Sequence, residues 1–461
     1  MTDQFKIANV IPVHQKDFIT CINNYCPISL LSIFNKILEK LMLKRLSCFI
    51  EKHNILYDRQ FGFREKHSTS HSTLLIADRI QQAIEDGKYS CGIFLDFSKA
   101  FDTVNHNILL KKLDHYGIRG IAKDWFISYL SQRKQYVSVG TSKSDDLYIT
   151  HGVPQGSVLG PLLFLLYIND FNNCSKFFEF HIFADDTNLF CTNRSLSALE
   201  LSINENLNCV TSWLIANKLS LNIDKTNFVI FHSRQKAISH KIRLLINNQE
   251  LEQVKCIRYL GVYFDRHLTW KNHVQHICTK IKRSVGILSK IRHFVPMTIL
   301  IQLYYTLIFP YLSYAVTTWG NTYVSTLKPL TTLQKKAVRL ITFSEFNAHS
   351  SPLFFKLEIL KFTDVVFLQN ALFMHDFHAN VIPPVFLDFF NPVSNIHKYN
   401  TRLASKNAYY IPKIKTNYGK FNIRFSGVKV WNSIQESFKL ENRIKFKKLL
   451  KESILNSYPD I

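Results

Sequence analysis

Apolar positions along this chain follow two periods, and the period changes from segment to segment. Ser90-Cys-Gly-Ile-Phe-Leu-Asp-Phe97 is an almost unbroken apolar run, the pattern of a buried strand, with one carboxylate, Asp96, embedded in it. Phe180-His-Ile-Phe-Ala-Asp-Asp-Thr-Asn-Leu-Phe190 reads as two short strands joined by an acidic two-residue turn, Asp185-Asp186, because Asp tolerates the backbone angles of tight hairpins. Helical spacing takes over from Ile33 to Ile50, near Asn107 to Tyr116, and from Ser157 to Ile168, where Ser157 suits an N-cap and Pro161 the first turns. Farther on, Val274, Ile277, Ile281, Val285, Leu288 and Ile291 recur every three or four positions with Lys280, Lys282, Arg283 and Lys290 between them, which predicts an amphipathic helix with a basic face. Leu333 to Leu340 predicts another basic helix. Strands alternate with helices up to about residue 265 and helical patterns dominate beyond it, so the expected fold class is α+β.

One uncharged stretch, Phe294 to Leu327, needs weighing as a membrane span. Gln302, Pro310 and scattered Thr and Tyr residues interrupt it short of the roughly 20 apolar residues a span requires, so a buried helix pair and no membrane partner are expected. The net charge of +23 suits a polyphosphate partner. With 46% hydrophobic residues the chain can bury large cores in several subdomains. Nine cysteines without a C-x-x-C pair suggest reduced intracellular thiols, and no zinc site is expected. Met1-Thr-Asp-Gln-Phe5 has no signal-peptide pattern.

The acidic residues carry the chemistry. Two carboxylates about 4 Å apart repel by roughly 4 kcal/mol at an effective dielectric near 20, and a hard divalent cation such as magnesium removes that penalty. A pair alone is commonly a solvated turn. Asp96 adds a third, because a charge inside an apolar strand is costly unless paired or metal-bound. It could pair with Lys99 or cap the following turn; taken with the hairpin it suits a two-metal site, where one ion acidifies an attacking 3′ hydroxyl and the other neutralises a leaving pyrophosphate.

Phe94-Leu-Asp-Phe-Ser-Lys-Ala-Phe-Asp-Thr-Val-Asn-His106, Gly152-Val-Pro-Gln-Gly-Ser-Val-Leu-Gly-Pro161 and Phe183-Ala-Asp-Asp-Thr187 stand in the order and spacing of motifs A, B and C of reverse transcriptases. The resemblance is to the reverse transcriptases of jockey-like non-LTR retrotransposons. It extends through Asn24-Tyr-Cys-Pro-Ile-Ser-Leu-Leu-Ser32, Gln60-Phe-Gly-Phe-Arg64, Asn217-Lys-Leu-Ser-Leu-Asn-Ile-Asp-Lys-Thr226 and Tyr259-Leu-Gly-Val262. It implies a right-hand polymerase with fingers over residues 1–90, palm over 91–265, thumb over 266–345 and a mainly helical, basic nucleic-acid-binding region over 346–461.

The resemblance also implies roles. Asp96, Asp185 and Asp186 would bind two Mg2+ ions with help from the carbonyl of Phe97. Lys225 would give a proton to pyrophosphate, where the alternative is a solvated lysine. Phe101 would exclude a 2′ hydroxyl, or be a core ring. Gly152, Pro154, Gln155 and Gly156 would form a loop against nucleotide and template base, or a plain strand-to-helix turn. Leu260 and Gly261 would press on the primer end, or simply close a hairpin. Lys16 and Arg64 would join the substrate-binding set. RNA template, DNA primer and dNTPs are the implied partners.

One position departs from the family's pattern: Cys26 stands where an arginine grips the incoming triphosphate. Losing a charge-assisted contact of about 1.5–3 kcal/mol predicts roughly ten- to a hundred-fold weaker nucleotide capture. A catalytically impaired RNA-binding remnant of a truncated element is therefore the alternative function. Between Phe389 and Gln435, Lys398, Arg402, Lys406, Lys413, Lys415, Lys420, Arg424 and Lys429 alternate with Tyr399, Tyr409, Tyr410, Tyr418, Phe421 and Phe425. These residues suit either single-stranded nucleic acid or a basic loop with core aromatics. The chain begins inside the expected fingers, so the endonuclease is expected to be supplied elsewhere, and the expected location is nucleus and cytoplasm, as a ribonucleoprotein.

Overall fold

The computed structural model describes residues 3–14, 18–236, 238, 240–395 and 408–458. Lys16 lies outside the described residues, as do Lys398, Tyr399, Arg402 and Lys406.

A five-stranded sheet organises the centre, in the order Glu252–Gln253, Asn227–Phe231, Tyr89–Leu95, Asp186–Asn193, Glu179–Phe183. The middle strand, Tyr89–Leu95, is buried at every residue and runs antiparallel to both neighbours, which explains its unbroken apolar sequence. Side chains alternate between two cores. Cys91, Ile93 and Leu95 meet the helices Gly160–Ile168 and Leu196–Ala216 on one side, whereas Phe94 joins Phe190, Val229 and residues of the helices Thr69–Glu85 and Lys271–Ile291 on the other. Full burial of each large apolar side chain contributes roughly 1.5–3 kcal/mol, so both faces hold the strand in register.

A second sheet joins Tyr25–Leu30, Ile7–His14, Arg133–Val139 and Ser142–Lys143 in that order, with Leu147–Ile149 also paired to Arg133–Val139. Residues 133–149 fall within the span expected for the palm, yet Arg133–Val139 pairs in parallel with the N-terminal strand. Conversely, helix Thr69–Glu85, inside the span expected for the fingers, packs on the central sheet. Local pattern predicts the elements, but such distant pairings are settled by packing alone.

The expected helices form over Ile33–Lys52, His106–His115 and Gly160–Ile168. Asn105 caps the second by accepting the Ile108 N–H. The third starts three residues later than expected, with the Ser157 hydroxyl accepting the Gly160 N–H at 3.0 Å. The uncharged stretch folds as short helices, Met297–Leu307, Phe309–Ser313 and Val316–Trp319, and no described helix is long and apolar enough to cross a membrane. Helix Lys271–Ile291 buries Val274, Ile277, Ile281, Val285 and Leu288 against Val324–Ile341 and leaves Lys282, Arg283 and Lys290 exposed.

The C-terminal helices share this core, and the basic aromatic region is partly bound to it. Asp78 of helix Thr69–Glu85 is fully buried and takes Arg424 Nε at 2.8 Å, Arg424 Nη2 at 3.2 Å and the Asn422 amide at 3.0 Å. The Arg424 guanidinium also covers the Phe389 ring, and Tyr409 is buried. At these positions the structural alternative holds. Lys413, Lys415, Lys420 and Lys429 remain exposed.

Candidate active site

The register of the central sheet gathers the three expected aspartates. Leu95 pairs with Thr187, so one step along, Asp96 comes alongside Asp186. Phe183 pairs with Asp186, which corrects the expected turn: its two residues are Ala184 and Asp185, and Asp186 opens the strand Asp186–Asn193. Ala184 adopts the positive φ, 56°, at a cost of about 1–2 kcal/mol for a residue with a Cβ. The turn thus presents adjacent carboxylates from a turn position and a strand position.

The electrostatics record this crowding. Burial of its base raises the Asp186 carboxyl to about 6, with Asp185 and then Asp96 adding repulsion. Asp185 is also raised, by burial first and by Asp96. Both side chains reach solvent at the tip, so screening weakens the effect in energy terms while leaving its sign intact. Among the described residues no three His, Cys, Asp or Glu side chains converge tightly enough to hold a metal as placed. The donor set nevertheless fits magnesium: the oxygens are hard ligands, and their mutual repulsion is what a divalent cation relieves. The Phe97 carbonyl follows directly on the same strand line, where Phe97 bridges to Leu221.

Residues 217–226 run beside this acidic edge. Asn222 N–H donates to the Asp96 carbonyl at 2.8 Å, and Thr226 Oγ1 accepts from Asp96 N at 3.3 Å. That path brings Lys225 Nζ within 4.0 Å of Asp96 Oδ2. Phe101 is half-buried against Phe164, with ring centroids 4.6 Å apart, so part of the ring packs in the core and part stays open.

The glycine loop is tied on both flanks. Gly152 N–H donates to Val104 O at 2.7 Å and Val153 N–H to Phe101 O at 2.9 Å. At Gly152, with φ +83°, a Cβ would fall 2.7 Å from the Asp102 carbonyl. At Gly156, with φ +116°, it would fall 2.6 Å from the Ser29 carbonyl, while Ser29 N–H donates to Gln155 O at 2.7 Å. Pro154 is buried between them. The Cys26 thiol donates to Gln155 Oε1 at 3.2 Å, and the Gln155 amide points at Asp102 over 3.4 Å. Burial pushes the Asp102 carboxyl up, opposed by Lys99 and then by Gln155. Sequence reasoning singled out Cys26 and Gln155 separately; their contact joins positions 129 apart and leaves no local signal.

Leu260 and Gly261 close the hairpin Cys256–Tyr259/Val262–Asp265 with φ values of 44° and 82°. Tyr314 Oη donates to the Leu260 carbonyl at 2.6 Å, and a Cβ on Gly261 would meet its ring at 3.3 Å. Tyr314 was not anticipated. Arg64, expected in the substrate-binding set, donates to the carbonyls of Tyr57 (2.9 Å) and Gln60 (3.1 Å), and burial lowers its pKa.

Comparison with known proteins follows the same residues. The family described as "Reverse transcriptase (RNA-dependent DNA polymerase)" matches residues 13–264, which include the central sheet and the acidic turn. Three Drosophila melanogaster proteins are similar: the RNA-directed DNA polymerase from mobile element jockey, 28% identical over 82% of this chain and 42% of its own length; the probable RNA-directed DNA polymerase from transposon X-element, 29% over 77% and 39%; and that from transposon BS, 29% over 74% and 38%. The chain spans about two fifths of the length of these relatives. Apo telomerase from Candida tropicalis matches 82% of this chain and 64% of its own at 10% identity and a TM-score of 0.44, too remote to carry an argument. With more than half its residues covered by the family model, the chain belongs to the reverse transcriptase family.

Proposed function

We propose that this chain is the polymerising part of a mobile-element RNA-directed DNA polymerase, adding dNTPs to a DNA primer 3′ end on an RNA template by two-metal nucleotidyl transfer, as in target-primed retrotransposition. The observation that carries the reading is the strand register that sets Asp96 beside Asp186 at the edge next to the Ala184-Asp185 turn. Asp96, Asp185, Asp186 and the Phe97 carbonyl would hold two Mg2+ ions, which when bound acidify the 3′ hydroxyl and neutralise the leaving pyrophosphate. Lys225, 4.0 Å from Asp96, is the proton donor to that leaving group. The open side of Phe101 excludes a 2′ hydroxyl, and the loop from Gly152 to Gly156 brings bare backbone and Gln155 to the template base. The hairpin tip at Leu260 and Gly261 supports the primer. Lys16 and Arg64 join the substrate-binding set, with Arg64 held in place by the Tyr57 and Gln60 carbonyls. The protein works in nucleus and cytoplasm as a ribonucleoprotein, with strand cleavage supplied by an endonuclease elsewhere.

A second reading, a catalytically idle RNA-binding remnant, is favoured by one observation: the position of a triphosphate-gripping arginine holds a thiol turned to Gln155. Primer extension on an RNA template with Mg2+ and dNTPs separates the two. Asp185→Ala should lose activity on the order of 10³-fold, the effect of forfeiting about 4 kcal/mol of charge stabilisation. Cys26→Arg should lower the dNTP KM roughly ten- to a hundred-fold. A parent that extends nothing while Cys26→Arg extends would establish the remnant, and undiminished extension by Asp185→Ala would rule out the site.

A further inference from the structure

The segment Gln60-Phe-Gly-Phe-Arg64 fits beneath the acidic turn, and its first residue has a role that its exposure and sequence do not announce. Residues 59–61 lie along the edge strand Glu179–Phe183: Ile182 N–H donates to Arg59 O at 3.0 Å and Phe61 N–H to Ile182 O at 2.8 Å, so Gln60 bridges Ile182 in parallel. The Gln60 side chain is then 1% exposed, directed at the backbone just before Asp185. Its Oε1 accepts two backbone N–H groups, from Gly62 at 3.0 Å and from Ala184 at 3.2 Å. Gly62 is forced by the same approach, since a Cβ there would stand 2.5 Å from the Ala184 nitrogen.

Ala184 is the residue most in need of restraint. It is 3% exposed, carries a φ of 56°, and its orientation sets where the next two side chains point. A side-chain carbonyl that captures its N–H favours this conformation over the right-handed alternatives. The uncharged amide does so without adding negative charge beneath three carboxylates. Gln60 Nε2 has no hydrogen-bond partner among the described residues, so the oxygen alone makes the contacts.

We propose that Gln60 is a positioning residue for the acidic turn, clamping left-handed Ala184 so that Asp185 and Asp186 are presented together toward Asp96. The proposal rests on the three-aspartate reading above.

The test combines Mn2+ titration followed by electron paramagnetic resonance, in the presence of primer and RNA template, with primer extension and thermal melting. Gln60→Met preserves length and removes the acceptor; it should weaken Mn2+ binding about tenfold and lower kcat about 10–100-fold, with the dNTP KM within threefold of the parent. Gln60→Glu keeps an acceptor oxygen and, buried beside three carboxylates, is held protonated and uncharged, so it should stay within threefold in Mn2+ affinity, which also covers the case in which the Met variant fails to fold. Adding Ala184→Gly to Gln60→Met should recover at least threefold of the loss, because glycine adopts the positive φ unaided. Parent-like Mn2+ affinity in Gln60→Met would overturn the clamp while leaving the aspartate site standing. A parent that binds no Mn2+, indistinguishable from Asp185→Ala, would overturn the site and the clamp with it.

Discussion

Asp186, proposed above as a metal ligand, is a residue whose charge opposes stability. Its folded-state pKa, about 6, lies above its ordinary value of 3.8, so the folded chain binds a proton more readily than the unfolded chain. Between about pH 4 and 6 this group's contribution to stability therefore falls as pH rises, and the full penalty stands at neutral pH. Removing the charge with Asp186→Asn should raise the melting temperature of the metal-free chain at pH 7 by about 2 °C or more after allowance for solvent screening. The gain should shrink at pH 5, and magnesium should stabilise the parent but not the variant. Melts in EDTA and in Mg2+ at both pH values read this directly; no gain at pH 7 would mean the carboxylates do not repel. These aspartates were legible in the sequence because a carboxylate inside an apolar run is costly without a partner. Gln60 and Tyr314 were not, because each acts on backbone distant in sequence and has an ordinary alternative reading.

At the scale of elements, the glycine loop and the basic helix give opposite answers to one substitution. Gly156→Ala would set a Cβ 2.6 Å from the Ser29 carbonyl at a φ of +116°, and backbone on both sides leaves little room to yield. It should cost more than the roughly 1–3 kcal/mol of backbone strain alone and reduce extension at least about tenfold by displacing Gln155. Gly286, in the middle of helix Lys271–Ile291, has open space around its missing Cβ and ordinary helical backbone. Gly286→Ala should raise stability by up to about 1 kcal/mol. Urea unfolding of the two variants checks both signs, and a tolerated Gly156→Ala would show that the loop can shift away from the strand Tyr25–Leu30. Helices and strands were readable here from period alone. The pairing of Arg133–Val139 with Ile7–His14 was not, since strand partners far apart in the chain are chosen by burial that no local window contains.

At the scale of the whole molecule, the C-terminal region is anchored to helix Thr69–Glu85, behind the central sheet. Asp78 is fully buried, and Arg424 reaches it through a two-pronged contact while lying on Phe389. The Glu85 carboxylate, on the same helix, accepts from the Thr416 hydroxyl and the Lys415 N–H. Deleting residues 397–430 would therefore remove a structural anchor together with any nucleic-acid surface, and lost RNA binding would not distinguish the two. Point changes do. Arg424→Ala strands a buried carboxylate and should cost about 3–5 kcal/mol in urea unfolding, whereas Arg424→Ala combined with Asp78→Asn should recover much of that loss. Exchanging exposed Lys413, Lys415, Lys420 and Lys429 for Gln should leave stability within about 0.5 kcal/mol per site and, if they lie along RNA phosphates, flatten the salt dependence of binding by nearly one unit of slope for each phosphate no longer neutralised. Unchanged stability in Arg424→Ala would mean that the Asn422 and Gln82 amides, which also donate to Asp78, suffice to hold that carboxylate in the core without the guanidinium.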